Sequence, residues 1–248
     1  MASLRSWREA VDRLQADLGA ILDTRLRALV VFEAHGILGD ASGPGNGDLV
    51  HDGRIHTLAV VDNLDCGDLA RLAPLAAGWT KRGLAVPLVL GPDELRRSLD
   101  AFPLEFSQMI ARHIVVSGED PLAGLAVTEA DLRRACEAQA RSHLLHLREG
   151  FIQSGGSPKA LSKLVSASVI PLRALLINIA RLLGVNARTP DALAQFVDEQ
   201  LHLPSDGLAP LLSSKRPEQV KDLDVGAFFP AYLKAVERLT TLVDEWTR

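Results

Sequence analysis

The sequence predicts an α+β protein: a mixed β-sheet with flanking helices over residues 1–120, followed by an all-α up-and-down helical bundle over residues 121–248. Two observations carry this reading. Up to about residue 120, short apolar β-rich runs alternate with helix-like runs, whereas beyond "GEDPLAG" only long amphipathic runs with capping residues remain. The composition of the 248 residues, 47% hydrophobic and 23% charged, suits a globular chain.

The first element is "SLRSWREAVDRLQADLGAIL". Leu4, Trp7, Val11, Leu14, Leu18 and Leu22 recur every three or four residues with Arg, Asp and Glu between them, the pattern of an amphipathic helix and not of a signal peptide. Strands are expected at "RALVVFE" (27–33), "IHTLAVVD" (55–62), "AVPLVLG" (85–91), "PLEF" (103–106) and "HIVVSG" (113–118). Helices are expected over 67–83 and 92–100, the second opened by Pro92 at a first helical position. Segment 36–53 holds six glycines and a proline and reads as a loop.

Four helices follow. Thr128 with Asp131, Ser157 with Pro158, and Thr189 with Pro190 mark three N-termini; Gly155–Gly156 and Gly184 mark two C-termini. "DVGAFFPAYLKAVERLTTLVDEW" supplies the fourth helix. The apolar stretch 164–184 carries Pro171, Arg173 and Arg181, which fits a buried bundle helix better than a bilayer span. A formal charge of −4 gives no overall attraction to nucleic acid or membrane. Only two cysteines occur: Cys66 reads as a loop or helix-start residue and Cys136 as a small buried one. Neither sits in a nucleophile setting, and a reduced cytoplasmic location is the expectation.

Polar residues stand at the front of the strand "RIHTLAVV". Arg54 and His56 are two apart and share one face. With "LRALVVFEAHG" before it and "FPLEFSQMIARHIVVSGEDPLAGL" after it, this first half resembles the nucleotidyltransferase superfamily of polymerase-beta-like fold, in its minimal, kanamycin-nucleotidyltransferase-like form. The helical half, "LRRACEAQARSHLLHLRE" especially, resembles the one that follows in a bacterial branch of that family. In the family a first strand leads into a Gly-Ser turn, a second strand opens Asp-x-Asp, and a neighbouring strand gives a third carboxylate. Together they hold two magnesium ions on a nucleoside triphosphate.

The resemblance places Glu33 and Ala34 at the Gly-Ser positions, Arg54 and His56 at the two aspartates, and Glu105 at the third acid. Arginine cannot ligate magnesium and histidine suits it poorly. The resemblance therefore implies a degenerate nucleotidyltransferase-like protein that binds a ligand or protein partner, with a cleft between sheet and bundle. Glu33, Ala34, Arg54, His56 and Glu105 are the anion- or ligand-binding candidates; no catalytic residue, metal or cofactor is expected. Alternatively Arg54 pairs with Glu33 or Glu105 and fills the old site.

Were activity kept, displaced carboxylates among Asp48, Asp52, Asp62 and Asp65 would use magnesium and a nucleoside triphosphate to transfer a nucleoside monophosphate. His143 and His146, three apart, are a weaker metal pair. Arg141 with His146 has a spacing similar to that of ribonuclease motifs in helical partners of minimal nucleotidyltransferases. The partner expected is a small molecule or protein, with a homodimer left open; nucleic acid and membrane are not expected.

Overall fold

A computed structural model describes residues 4–32, 50–51, 54–187, 189–213 and 224–246. Glu33, Ala34, Asp48 and Asp52, with most of the expected glycine-rich loop, lie outside the described residues. The chain divides into two compact units, one ending at Val127 and the next running from Thr128.

In the first unit, helix α1 (Leu4–Leu22) precedes β1 (Leu26–Phe32), β2 (Val50–His51) and β3 (Arg54–Val61). Helices α2 (Cys66–Leu72) and α3 (Ala76–Lys81) lead to β4 (Leu88–Leu90). Then come α4 (Pro92–Arg97), α5 (Pro103–Ala111) and β5 (His113–Gly118). The sheet is mixed: β4 runs parallel to β3, β3 antiparallel to β1, and β1 antiparallel to β5. Within the expected loop, β2 pairs with the first two residues of β3.

Alternation along β1 and β3 builds two cores. Leu29, Val31, Ile55, Ala59 and Val61 face α1 and α3, packing with Val11, Leu14, Leu18, Leu22 and Trp79. Val30, Phe32, Leu58 and Val60 face the other way, onto Leu95 of α4, Phe106 and Met109 of α5, and Leu122. Helices cover both faces, so the two central strands are apolar on both sides, which made them legible as continuous runs. A buried charge holds the start of β1 to α2. Arg25 grips Asp68 through two bonds of 2.6 and 2.7 Å, and Arg71 adds a third. The Arg25 bond comes first in holding the Asp68 carboxyl well below its ordinary range, against the opposing effect of burial.

One expected strand is a helix. "PLEF" forms the first turn of α5, with Pro103 in that turn and Phe106, Met109 and Ile110 spaced three and four apart on the sheet side. Four residues are too few to separate a period of 2 from one of 3.6. Strand β4 is also shorter than its apolar run, beginning after Pro87, which has no N–H to give to a ladder.

The second unit holds α6 (Glu129–Gln153), α7 (Pro158–Leu182), α8 (Pro190–Glu199), the short α9 (Ala209–Ser213) and α10 (Val225–Glu245). The cap residues read from the sequence do that work: Thr128, Ser157 and Thr189 accept the N–H groups of Asp131, Ala160 and Ala192. Helix α7 is long and apolar enough to cross a membrane by length and composition, yet more than half of its most apolar stretch is buried inside the unit, where α7 packs on α6, α8 and α10. Arg173, buried on α7, donates to the carbonyls of Leu211 and Leu212, tying in α9, which no sequence signal marked.

Gly118 ends β5 at φ +79°, and a Cβ there would lie 1.9 Å from the Arg27 carbonyl oxygen. Gly118→Ala is expected to destabilise the protein by more than about 2 kcal/mol through left-handed backbone and the clash with β1. Chemical denaturation measures this, and an unchanged unfolding midpoint would contradict the close approach of β5 to β1.

Candidate functional site

One end of the sheet gathers the polar strand ends. Strand β1 finishes there at Phe32, while β3, β5 and the segment into β4 begin there. Register places His56 and His113 on either side of Phe32, so three side chains stand in a row on one face, with Arg54 two residues before His56. By two strand spacings the backbones of His56 and His113 are roughly 10 Å apart. The His56 ring is half-buried, its centroid 6.0 Å from that of Phe32, and Arg54 is exposed.

Glu105 does not join a strand of this row. It stands exposed in the first turn of α5, whose Phe106 and Met109 pack on the sheet face from which Arg54 and His56 project. The third-acid position implied by resemblance therefore falls on a helix, because the residues after it continue with helical spacing. The strand that does flank β3 is β4, and Leu84 to Leu90, leading through it, contains no acid. Among the described residues no group of three or more His, Cys, Asp and Glu is placed to hold a metal ion. Magnesium does not fit the donors at Arg54 and His56: one is a permanent cation without an acceptor atom, the other a soft nitrogen ligand.

His113 was missed as a site residue, although it carries the same signal as Arg54 and His56, a polar residue fronting an apolar strand. Its Nδ1 lies 2.9 Å from the Met109 carbonyl oxygen and its Nε2 3.0 Å from Asp120 Oδ1. Asp120 also accepts the Leu122 N–H at 2.9 Å. Burial works against the Asp120 charge, but the Leu122 and His113 bonds outweigh it and hold the carboxyl below its ordinary value.

The displaced-carboxylate candidates that are described sit at the opposite end of β3. Asp62 pairs with Arg27 at 2.9 Å, and Asp65 caps α2 through the Asp68 N–H. Cys66 is the exposed first residue of α2; Cys136 is fully buried, and burial pushes its thiol up to about 12.

The helical candidates separate. His143 points into the second unit and His146 outwards, so they form no common face. Three residues on a helix differ by roughly 60° in direction, enough to straddle the edge of a buried stripe. Arg141 is engaged by Glu137 at 3.0 Å and Asp244 at 2.6 Å. His143 Nε2 lies 2.8 Å from Tyr232 Oη, which lies 2.9 Å from Ser168 Oγ, whose hydroxyl donates to the Val165 carbonyl at 2.7 Å. Every group is satisfied if His143 donates to Tyr232 and Tyr232 to Ser168, a chain joining α6, α10 and α7.

With this geometry in view, comparison with solved structures finds a likeness spanning both units. The chain is similar over 93% of its length to spectinomycin adenyltransferase AAD(9) from Enterococcus faecialis, solved with ATP and spectinomycin, and the match covers 98% of that chain. The TM-score is 0.53 and the identity 13%, a likeness of fold: the chain has a nucleotidyltransferase-like fold. No protein-family model and no curated protein matches.

Burial, with the nearby His146 charge, lowers the pKa of His143 from 6.5 to about 4. Between those values the unfolded chain binds a proton that the folded chain refuses, so stability falls as pH drops through the window. The loss is expected to be about 2 kcal/mol between about pH 7.5 and pH 5. Denaturation of wild type and His143→Gln at both pH values checks it; an equal loss in the variant would contradict the assignment.

Proposed function

We propose that this chain is a catalytically degenerate nucleotidyltransferase-like protein that binds, without transferring nucleotide, a small molecule or protein partner presenting a phosphate or carboxylate. The observation that carries the reading is the occupancy of β3 at the mouth of the sheet. The two positions there that share a face, on the strand lying between β1 and β4, are Arg54 and His56.

An aspartate pair at that spacing would concentrate negative charge and recruit divalent metal. A guanidinium and an imidazole do the reverse, offering donors to an anion directly. The ligand's charge is met by the protein itself, and no metal is called for. His56 is braced by Phe32, and that strand-borne placement fixes its backbone better than a loop would. The paired acids at the far end of β3, engaged with Arg25, Arg27 and Arg71, have structural work. The two free thiols, one buried, accord with a reduced cytoplasmic setting, which belongs to the same proposal.

Calorimetry with ADP in EDTA tests the anion site. Wild type is expected to bind without metal, and Arg54→Glu to weaken binding about ten- to a hundredfold, the worth of a charge-assisted contact. Equal binding by the variant would refute the role of Arg54, and no binding by wild type would refute a nucleotide-type anion. Restoring the acids with Arg54→Asp and His56→Asp together is expected to create measurable magnesium affinity; no gain would contradict the placement of β3 as the strand that lost its acids.

A further inference from the structure

The hydrogen bonds of His113 impose a protonation requirement that is independent of what the sheet mouth binds. Its two ring nitrogens face two groups that can only accept: the Met109 carbonyl oxygen at 2.9 Å and the Asp120 carboxylate at 3.0 Å. A neutral imidazole has one N–H, so it can satisfy one of these acceptors and must turn a lone pair on the other. Both bonds persist together only when the ring carries both protons.

The two acceptors belong to different elements. Met109 lies in the last turn of α5, three residues before its C-cap Arg112. Asp120 lies in the turn after β5, where it accepts the Leu122 N–H, and the Leu125 N–H closes back on the Leu122 carbonyl at 3.1 Å. That turn matters to the core: Leu122 is 2% exposed and packs with Phe32, Leu58 and Phe106, with Leu125 and Val127 against the same cluster. The turn is entered through Gly118 and left through Gly124, both at positive φ. The charged or titratable groups on the elements around His113 are Asp120 and Glu119 in the turn, Arg112 just before it, Glu105 earlier on α5, and His56 across Phe32 on β3.

The geometry points to His113 as a proton-operated latch: doubly protonated, it clasps the end of α5 to the Asp120 turn, and on losing a proton it keeps one of the two bonds and loosens the turn that carries Leu122. The proton leaves to solvent, and no covalent bond changes. Loss of the Asp120 bond takes away a charge-assisted contact at a partly buried site, while loss of the Met109 bond unhooks the ring from α5 and leaves the Met109 carbonyl with the Arg112 N–H at 3.3 Å. Either way the ring no longer joins α5 to the turn. This loss with rising pH is opposite in sign to His143, whose burial makes the protein as a whole more stable as pH rises, so the two effects are separable.

Amide hydrogen exchange of the full chain, expressed as protection factors that divide out intrinsic rates, tests the latch. Protection of Leu122 and Leu125 is expected to fall about tenfold or more between about pH 6 and pH 9 in wild type, and to be far flatter in His113→Gln and in Asp120→Asn, where the asparagine oxygen still accepts from Leu122. Ring-nitrogen NMR should show two protonated nitrogens on His113 in the state in which Leu122 and Leu125 are protected. An unchanged wild-type protection, an equal fall in the variants, or a singly protonated ring in that protected state would each overturn the latch. If His113→Gln fails to fold, Asp120→Asn carries the comparison.

Discussion

The first unit hangs on the antiparallel register of β1 against β3. The buried apolar residues of these strands are divided between two clusters, so a slip of one position would turn both cores inside out. Leu29, Val31, Ala59 and Val61 are sealed by α1 and α3, while Val30, Phe32, Leu58 and Val60 are sealed by α4, α5 and Leu122. The same register decides which polar residues meet. Phe32 opposite His56 continues an unbroken β1–β3 ladder from Ala28, and Phe32 opposite His113 follows a register shift in the β1–β5 ladder at Leu29/Val30.

Charge is divided between the two ends of the sheet. At the closed end Asp62 and Asp68 are matched by Arg27, Arg25 and Arg71, so a buried carboxylate is tolerated because its neighbours pay its desolvation in hydrogen bonds. At the mouth the described strand ends bring Arg54 and two imidazoles, and Asp120 is held there by His113 and a backbone N–H. The fold is similar to that of an adenyltransferase solved with ATP, and its described sheet mouth carries Arg54, His56 and His113.

Much of the fold was legible because local chemistry was unambiguous. Thr128, Ser157 and Thr189 announce helix starts by a side-chain oxygen, and the N-terminal helix shows its buried stripe in the spacing of Val11, Leu14, Leu18 and Leu22. The β-branched runs of β1, β3 and β5 were equally plain. "PLEF" misled because its period emerges only with Phe106, Met109 and Ile110 taken together, and Glu105 moved from strand to helix with it. Arg54 and His56 were readable from parity within one strand. The row they form with Phe32 and His113 was not, since it depends on pairing between residues 24 and 81 positions apart in the chain, read as 56 − 32 and 113 − 32. The inward turn of His143 towards Tyr232 was hidden for the same reason, being set by packing 89 residues away.

The proposed binding of an anion by Arg54 and His56 without metal separates this protein from a working nucleotidyltransferase. Calorimetric titration of ATP with and without magnesium, paired with an assay for transfer of labelled nucleotide, tests it most directly. Magnesium is expected not to strengthen ATP binding and no label to be transferred; magnesium-dependent ATP binding accompanied by transfer would refute the proposal.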